Sequence, residues 1–304
     1  MKSIDLNGVS WVNLNNPEFE DLNFLEKEMN LGQIVLKELA GFNKRAQIDE
    51  YDEYIFLVIH FPVFNEANFQ TIPTEIDFII TKNKVITVYQ QVNPKLEELF
   101  SQIQENPLLQ KEYMKSSGFL LLIILDKLID HCLPMLDHIH EKIEDIEEQV
   151  FEGKEREMLK EIAILKRDII DFRRTIKPQR SVLEILAKKA GRFFQREELD
   201  IISQEVVGSE IRVWNTLENH KEMIEAIEKT NSNLLSYQIN SVMHTLTYFS
   251  ILLFSLTFIA GFFSMKPVEN LLFIQHSFGI WIISGIMLFV VIIITALFKK
   301  KKWL

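Results

Sequence analysis

The stretch NSVMHTLTYFSILLFSLTFIAGFFSMK, from Asn240 to Lys266, decides how this chain is organised. Its first residues are polar and suit a helix, and no proline or glycine separates them from the apolar residues that follow. Residues 246–265 carry no charge, and about twenty such residues are what a helix needs to cross the hydrocarbon core of a membrane. The sequence therefore predicts a long helix that enters a membrane.

A second apolar run, residues 278–298, has a similar length and is followed directly by the four lysines at 299–302. Two spans place both chain termini on one side of the membrane. The lysines assign that side to the cytoplasm, because cytoplasmic flanks of spans are enriched in positive charge. We therefore expect an external loop at 266–277 and a basic cytoplasmic tail at 299–304.

The remainder of the chain is acidic. The formal net charge of the 304 residues is −10, and the two apolar runs contribute no charged residue. This balance argues against a nucleic-acid partner and suits cations or cationic partners. The single cysteine, Cys132, excludes an intramolecular disulfide and a multi-cysteine metal site. The chain has no Walker or Rossmann glycine pattern and no nucleophile motif, so we expect neither an enzyme nor ATP-driven transport.

Residues 1–115 have the pattern of an α/β domain that is large enough for its own core. Short runs of alternating or β-branched apolar residues end at clusters of Asn, Pro and Gly. These runs predict strands at Val9–Leu14, Tyr54–Phe61, Ile76–Ile80 and Lys84–Tyr89. Helical spacing predicts a helix at Phe19–Met29, and Asn65–Pro73 has the composition of a turn.

Residues 116–195 predict a hairpin of two long antiparallel helices, because apolar residues step by three and four on both sides of Gly153. They are Ile139, Ile143, Ile146 and Val150, then Met158, Ile162, Leu165, Ile169, Phe172 and Ile176. Pro178 is expected to kink the second arm. Residues 196–245 predict a cytoplasmic stalk helix that continues into the membrane. No Pro or Gly interrupts it between Gly208 and Gly261, which gives about 50 residues of helix that span about 75 Å.

Five stretches together make the chain resemble the CorA family of divalent-cation transporters over nearly its full length. They are RAQIDEYDEYIFLVI at Arg45–Ile59, LKRDIIDFRRTIKPQRSVLEIL at Leu165–Leu186, NSVMHTLT at Asn240–Thr247, SLTFIAGFF at Ser255–Phe263, and the tail FKKKKWL. Each one is a weak motif, but their order and spacing are specific.

The resemblance implies a homopentamer with a cytoplasmic funnel in the lipid bilayer of the inner cell membrane. The first span of each subunit would line a pore, and the second would lie outside it. The expected activity is passive transport of magnesium, with cobalt as a second candidate, gated by cytoplasmic divalent ions. Magnesium would then be both the substrate and a regulatory ligand, and no covalent cofactor is expected.

One face of the first span carries both small polar and bulky apolar residues when positions are counted in helical steps. They are Asn240, Met243, Thr247, Ser250, Phe254, Thr257 and Gly261, with Leu246 at the edge. In a pentamer, Asn240 and Thr257 would contact a hydrated ion through oxygen atoms, which suits Mg²⁺. Met243, Leu246 and Phe254 would form dry constrictions. The alternative is a helix-packing face, because small and hydroxyl residues also pack helices in membranes.

The outer mouth departs from the family. The resemblance implies a Gly-Met-Asn signature directly after the first span, whose Asn accepts the hydrated cation, and here the residues are Ser264, Met265 and Lys266. Five ammonium groups about 10 Å from the axis would each oppose a divalent ion by about 0.8 kcal/mol in water before screening. Lys266 pairs with Glu269, points toward lipid headgroups, or marks a changed function. The changed functions are a zinc or proton-coupled transporter and a non-transporting membrane sensor or scaffold.

Two acidic positions are candidate regulatory sites. The segment Asp137–Glu157 holds nine carboxylates, and His138, Glu141 and Asp145 share one helical face there. The alternative for that face is the solvated side of a coiled coil. In the family a sensing Asp lies early in the third long helix, and the resemblance implies Glu205 as the nearest match.

Overall fold

The computed structural model describes residues 1–43, 45–65, 70–265 and 279–301. The chain divides into two compact units, Met1–Glu228 and Lys229–Leu304. The first unit contains a six-stranded sheet in the order β1-β2-β6-β5-β4-β3. Its strands are β1 (Lys2–Leu6), β2 (Val9–Asn15), β3 (Gln47–Glu50), β4 (Ile55–Asn65), β5 (Gln70–Ile80) and β6 (Lys84–Tyr89). Strands β2 and β6 pair in parallel, and the other neighbours pair antiparallel.

The first two strands form a hairpin around Asn7 and Gly8. Both residues have positive φ, 50° and 85°, which is the geometry of the two-residue turn that matches strand twist. Asn and Gly tolerate this conformation better than other residues. The pair Asn-Gly therefore sets the register in which Leu6 lies opposite Val9.

Helices cover both faces of the sheet. Helices α1 (Phe19–Met29) and α2 (Gln33–Leu39) bury Leu25, Val35 and Leu39 against β4 and β6 side chains. Next in the chain come α3 (Pro94–Glu105), α4 (Pro107–Tyr113) and α5 (Ser117–Asp130). On the opposite face of the sheet from α1 and α2, the ring of Trp11 meets that of Phe100 on α3 edge-to-face at 4.9 Å.

The predicted helical seam is confirmed in α6 (Cys132–Phe151) and α7 (Glu155–Ile176), since all ten of its apolar residues are buried. Gly153 closes the connection with a φ of 89°. Helix α7 ends at Ile176, and α8 (Gln179–Lys189) begins directly after Pro178. Pro178 therefore separates two helices instead of kinking one, because proline lacks the N–H that would continue the ladder.

A short helix α9 (Arg196–Ile201) and a π-helical turn (Ile202–Val206) precede the longest element, α10 (Val207–Phe263). The π turn interrupts the helix that apolar spacing predicts from Glu197. Helix α10 is 57 residues long and is followed in the described chain by α11 (Gly279–Lys300). Both α10 and α11 are long and apolar enough to cross a membrane, and none of the most apolar 18-residue window of either is buried.

The turn predicted at Asn65–Pro73 is wrong at both ends. Strand β4 includes Asn65, and β5 begins at Gln70, with Asn65 opposite Gln70 and Pro62 opposite Pro73. The two prolines face each other across the antiparallel pair. Proline in this segment suggested a loop, although both proline positions lie in extended strands. The external loop predicted at 266–277, with Lys266, lies outside the described residues.

Candidate ion-conducting helix and acidic cluster

The residues of the predicted stripe share one exposed side of α10. Met243, Leu246 and Phe254 are 54%, 58% and 74% exposed. Asn240, Ser250, Thr257 and Gly261 are also exposed, whereas Thr247 is half-buried at the edge of the stripe. An exposed row of this kind along a helix that suits a membrane must meet lipid, water or another copy of the chain.

The opposite side of α10 packs against α11. The hydroxyl of Tyr248 lies 3.1 Å from Oγ1 of Thr295, and the rings of Tyr248 and Phe298 are 5.4 Å apart between centres. The half-buried residues of this side recur at helical spacing: His244, Tyr248, Leu252, Ser255, Leu256, Ile259 and Phe263. Within this unit the face of α10 that packs on α11 and the stripe are therefore different faces of the helix.

The hydroxyl groups of the stripe donate their protons to the helix backbone. Thr247, Ser250 and Thr257 donate to the carbonyl oxygens of Met243, Leu246 and Leu253 at 2.7, 2.8 and 2.8 Å. Each hydroxyl proton is therefore used by the backbone one turn earlier. The remaining lone pairs accept hydrogen bonds, so this surface suits the water shell of a cation, whose protons point outward.

Helix α10 ends just before the predicted outer mouth. The N–H of Ser264 donates to Ala260 O at 3.1 Å, and that of Met265 donates to Phe262 O at 3.3 Å. The side chains of Ser264 and Met265 are exposed. A Cβ added at Gly261 would meet nothing within 4 Å. Lys266 and its predicted partner Glu269 lie outside the described residues.

Glu205 lies in the π-helical turn and is exposed. It is one of the charges that raise the pKa of Asp126 on α5, after the larger effects of burial and of Asp130, while Lys127 opposes them. The charges of Asp130 and Glu205 thus both disfavour the ionised form of the Asp126 carboxyl. Sequence reasoning found only Glu205, although the one-turn spacing of Asp126 and Asp130 was readable.

The predicted set on α6 is not assembled into a site. His138 Nδ1 lies 3.6 Å from Glu141 Oε2, and Asp145 instead accepts a hydrogen bond from Gln149 at 2.8 Å. Both side chains of the first pair are mostly exposed, 58% and 76%. In the described part of the chain, no three His, Cys, Asp or Glu side chains are positioned to hold a metal ion.

The fold combines a large α/β domain with two helices that are long and apolar enough to cross a membrane. Comparison with known proteins identifies the family. The model of the CorA-like Mg²⁺ transporter protein family matches residues 7–300, so the chain belongs to the CorA family of divalent-cation transporters.

Individual relatives are distant. The chain is 24% identical to the cobalt/magnesium transport protein CorA of Thermotoga maritima, over 97% of this chain and 83% of that one. It is 21% identical to the zinc transport protein ZntB of Yersinia pseudotuberculosis, over 97% and 88%. The complete structure of the CorA magnesium transporter from Methanocaldococcus jannaschii superposes with a TM-score of 0.83 at 18% identity, over 100% of this chain and 95% of that one. The fold is therefore CorA-like along the whole chain.

Proposed function

We propose that this chain forms a homopentameric channel in the inner cell membrane that admits divalent cations, with magnesium as the principal substrate and cobalt as a second one. The observation that carries the proposal is the exposed stripe of α10, with its accepting hydroxyl oxygens and its apolar residues, opposite the face that packs on α11. Five copies would bring five stripes together around one axis.

In this proposal residues 246–265 and 278–298 are the spans, 266–277 form the external loop, and 299–304 form the cytoplasmic tail. Both termini lie in the cytoplasm, because the lysine run follows the second span. An inside-negative potential then favours entry of a divalent ion by about 4.6 kcal/mol per 100 mV. No ATP is needed for import.

In the pentamer, equivalent stripe residues of the five copies would form two kinds of ring around the pore, polar and apolar. Asn240 and Thr257 would hold a hydrated cation through oxygen atoms, which suits Mg²⁺ because Mg²⁺ sheds its water reluctantly. Met243, Leu246 and Phe254 would close the pore by excluding water. Cytoplasmic divalent ions would bind Glu205 and hold the closed state.

A second candidate is a transporter of the same architecture with changed selectivity, for zinc or with coupling to protons. It is favoured by Lys266, which stands where the family signature has Asn, and a relative of similar coverage is named a zinc transport protein. A fixed positive ring at the mouth opposes every divalent ion, so only a site of higher affinity deeper in the pore would offset it.

Ion flux into proteoliposomes that contain wild type or Lys266→Asn, measured with Mg²⁺, Co²⁺, Zn²⁺ and Ni²⁺, separates these candidates. A magnesium channel gives Mg²⁺ flux in wild type, and the neutral variant increases it. A zinc transporter gives Zn²⁺ flux without Mg²⁺ flux in wild type, and the variant gains Mg²⁺ flux. Absence of flux above empty liposomes for all four ions, in both proteins, would contradict both candidates and leave a sensor or scaffold.

A further inference from the structure

Helix α11 ends in a run of lysines. Lys299 and Lys300 are its last residues, and the N–H of Lys301 still donates to the carbonyl oxygen of Leu297 at 3.1 Å, so helical hydrogen bonding reaches Lys301. All three lysines are exposed, and the sequence continues with Lys302. Adjacent positive charges at one helix end repel one another, so the run favours an anionic partner.

The second unit has almost no acidic side chains with which to neutralise these lysines. Between Lys229 and Leu304 the sequence contains one acidic residue, Glu269, which precedes α11, whereas the lysines end that helix. The anionic partner must therefore come from outside this unit. The two sources are the headgroups of the membrane and the acidic residues of the first unit.

The lysine run is centred on the side of α11 that points away from α10. Thr295 and Phe298 contact Tyr248 of α10 and are half-buried, so they mark the packed side of α11. At 3.6 residues per turn, Lys300 lies about 170° around the helix from the mean direction of Thr295 and Phe298. The lysines before and after Lys300 flank it on either side. The run therefore presents its charge to whatever borders the unpacked side of α11.

That unpacked side is apolar along the preceding turns. Phe289, Ile293 and Leu297 precede Lys300 at helical spacing and are 63%, 42% and 57% exposed. An exposed apolar row that ends in exposed lysines matches the two parts of an anionic phospholipid, whose acyl chains lie along the row and whose phosphate meets the ammonium groups. An acidic protein surface would match only the lysines and would leave the row uncovered. The membrane is therefore the partner that fits both features.

We propose that Lys299, Lys300 and Lys301, together with the exposed apolar row before them, bind anionic phospholipids of the leaflet in which α11 ends. The inference rests on the proposed function for the place of α11, since a second span outside the pore meets lipid.

The proposal gives the lysine run a task beyond the orientation of the span, because the run selects the lipid that borders α11. A lysine close to an anionic surface strengthens binding about fivefold. Lipids with a net negative headgroup, such as phosphatidylglycerol, are therefore bound in preference to zwitterionic lipids such as phosphatidylcholine.

Native mass spectrometry tests the proposal by counting the lipids bound to the delipidated full-length protein in neutral detergent. The protein is titrated with phosphatidylglycerol or with phosphatidylcholine of the same acyl chains. We expect tighter binding of phosphatidylglycerol, and an affinity for it about 25-fold lower in the double variant Lys299→Gln, Lys300→Gln, with unchanged affinity for phosphatidylcholine. Excess inorganic phosphate at matched ionic strength leaves the lipid bound, because phosphate has no chains to cover the apolar row.

Lys229→Gln is the matched control. Lys229 is an exposed lysine of the same unit, but it precedes Tyr248 by about 28 Å along α10. This variant keeps the wild-type affinity for both lipids. All the substituted lysines are exposed, so the variants report on lipid binding without loss of folding.

The proposal is overturned if wild type binds both lipids equally, which would leave the acidic first unit as the partner of the lysines. It is also overturned if the double variant binds phosphatidylglycerol as wild type does, if Lys229→Gln loses affinity equally, or if inorganic phosphate displaces the lipid. The titration contains no transported cation. Ion flux that persists without a lipid preference therefore contradicts this proposal alone, and a lipid preference without ion flux contradicts only the proposed transport.

Discussion

Replacement of Arg173 by Ala is expected to weaken the attachment of α7 to α10. The guanidinium carbon of Arg173 lies 5.2 Å from the centre of the Trp214 ring, and its Nη2 forms an ion pair with Oε1 of Glu218. The side chains of Arg173 and Glu218 are only 20% and 30% exposed. A cation–π contact contributes about 0.5–2 kcal/mol and a partly exposed ion pair about 0.2–1 kcal/mol, together about 1–3 kcal/mol.

Thermal unfolding of the full-length protein in detergent measures this loss. At about 2–4 °C per kcal/mol for a unit of this size, Arg173→Ala is expected to lower the Tm by about 2–12 °C. Arg173→Lys keeps the charge but not the flat stacking group, so its Tm is expected to lie between those of wild type and Arg173→Ala. The matched control is Arg174→Ala, because Arg174 is 80% exposed and its Nη1 lies 3.7 Å from Asp171. Equal Tm losses in Arg173→Ala and Arg174→Ala would refute the reasoning.

Two further predictions concern groups whose pKa burial has raised. Burial, with a smaller effect of Glu75, raises the pKa of Asp77 to about 9. The folded protein therefore keeps the Asp77 carboxyl protonated at pH values where the unfolded chain, in which that pKa is the ordinary 3.8, has released the proton. The free energy of unfolding therefore falls as pH rises from about 4 to 9. The Tm of Asp77→Asn should increasingly exceed that of wild type across that range. Parallel Tm profiles of the two proteins at pH 5, 7 and 9 would contradict this. Burial also raises the pKa of Cys132 to about 12, so a maleimide at pH 7.5 should label it only in denaturant. Equal labelling rates with and without denaturant would show that the thiol is accessible in the folded protein.

Periodic patterns in the sequence predicted the regular elements well. The helix at Phe19–Met29 and the strand at Lys84–Tyr89 have the predicted bounds, and every residue of the α6–α7 seam is buried. These elements are predictable because burial of one face imposes a period on the sequence itself. The Asn-Gly turn after β1 was also readable, but the polar strand before it carries little apolar alternation.

Contacts between distant parts of the chain were not predictable in this way. His140 and His220, whose rings stack, or Asp126 and Glu205, are each separated by about 80 positions, and no local pattern relates them. Their proximity follows from the way that α6 packs on α10, and α5 on the π-helical turn, in three dimensions. The family resemblance supplied Glu205 as a candidate, but only the structure relates it to Asp126.

Divalent cations are proposed to pass along the stripe of α10, and a flux measurement on two matched threonine variants tests this path. Mg²⁺, Co²⁺ and Zn²⁺ uptake into proteoliposomes is compared for wild type, Thr257→Val and Thr245→Val. The hydroxyls of Thr257 and Thr245 both donate to the carbonyl four residues earlier, at 2.8 and 3.1 Å, and valine preserves the shape of either side chain. Thr257 lies on the stripe, whereas Thr245 lies on another face of the same helix.

We expect divalent-cation uptake in wild type, a several-fold loss in Thr257→Val, and unchanged uptake in Thr245→Val. Equal uptake by both variants would show that ions do not follow the stripe. Wild type that takes up none of the three cations would contradict the claim altogether.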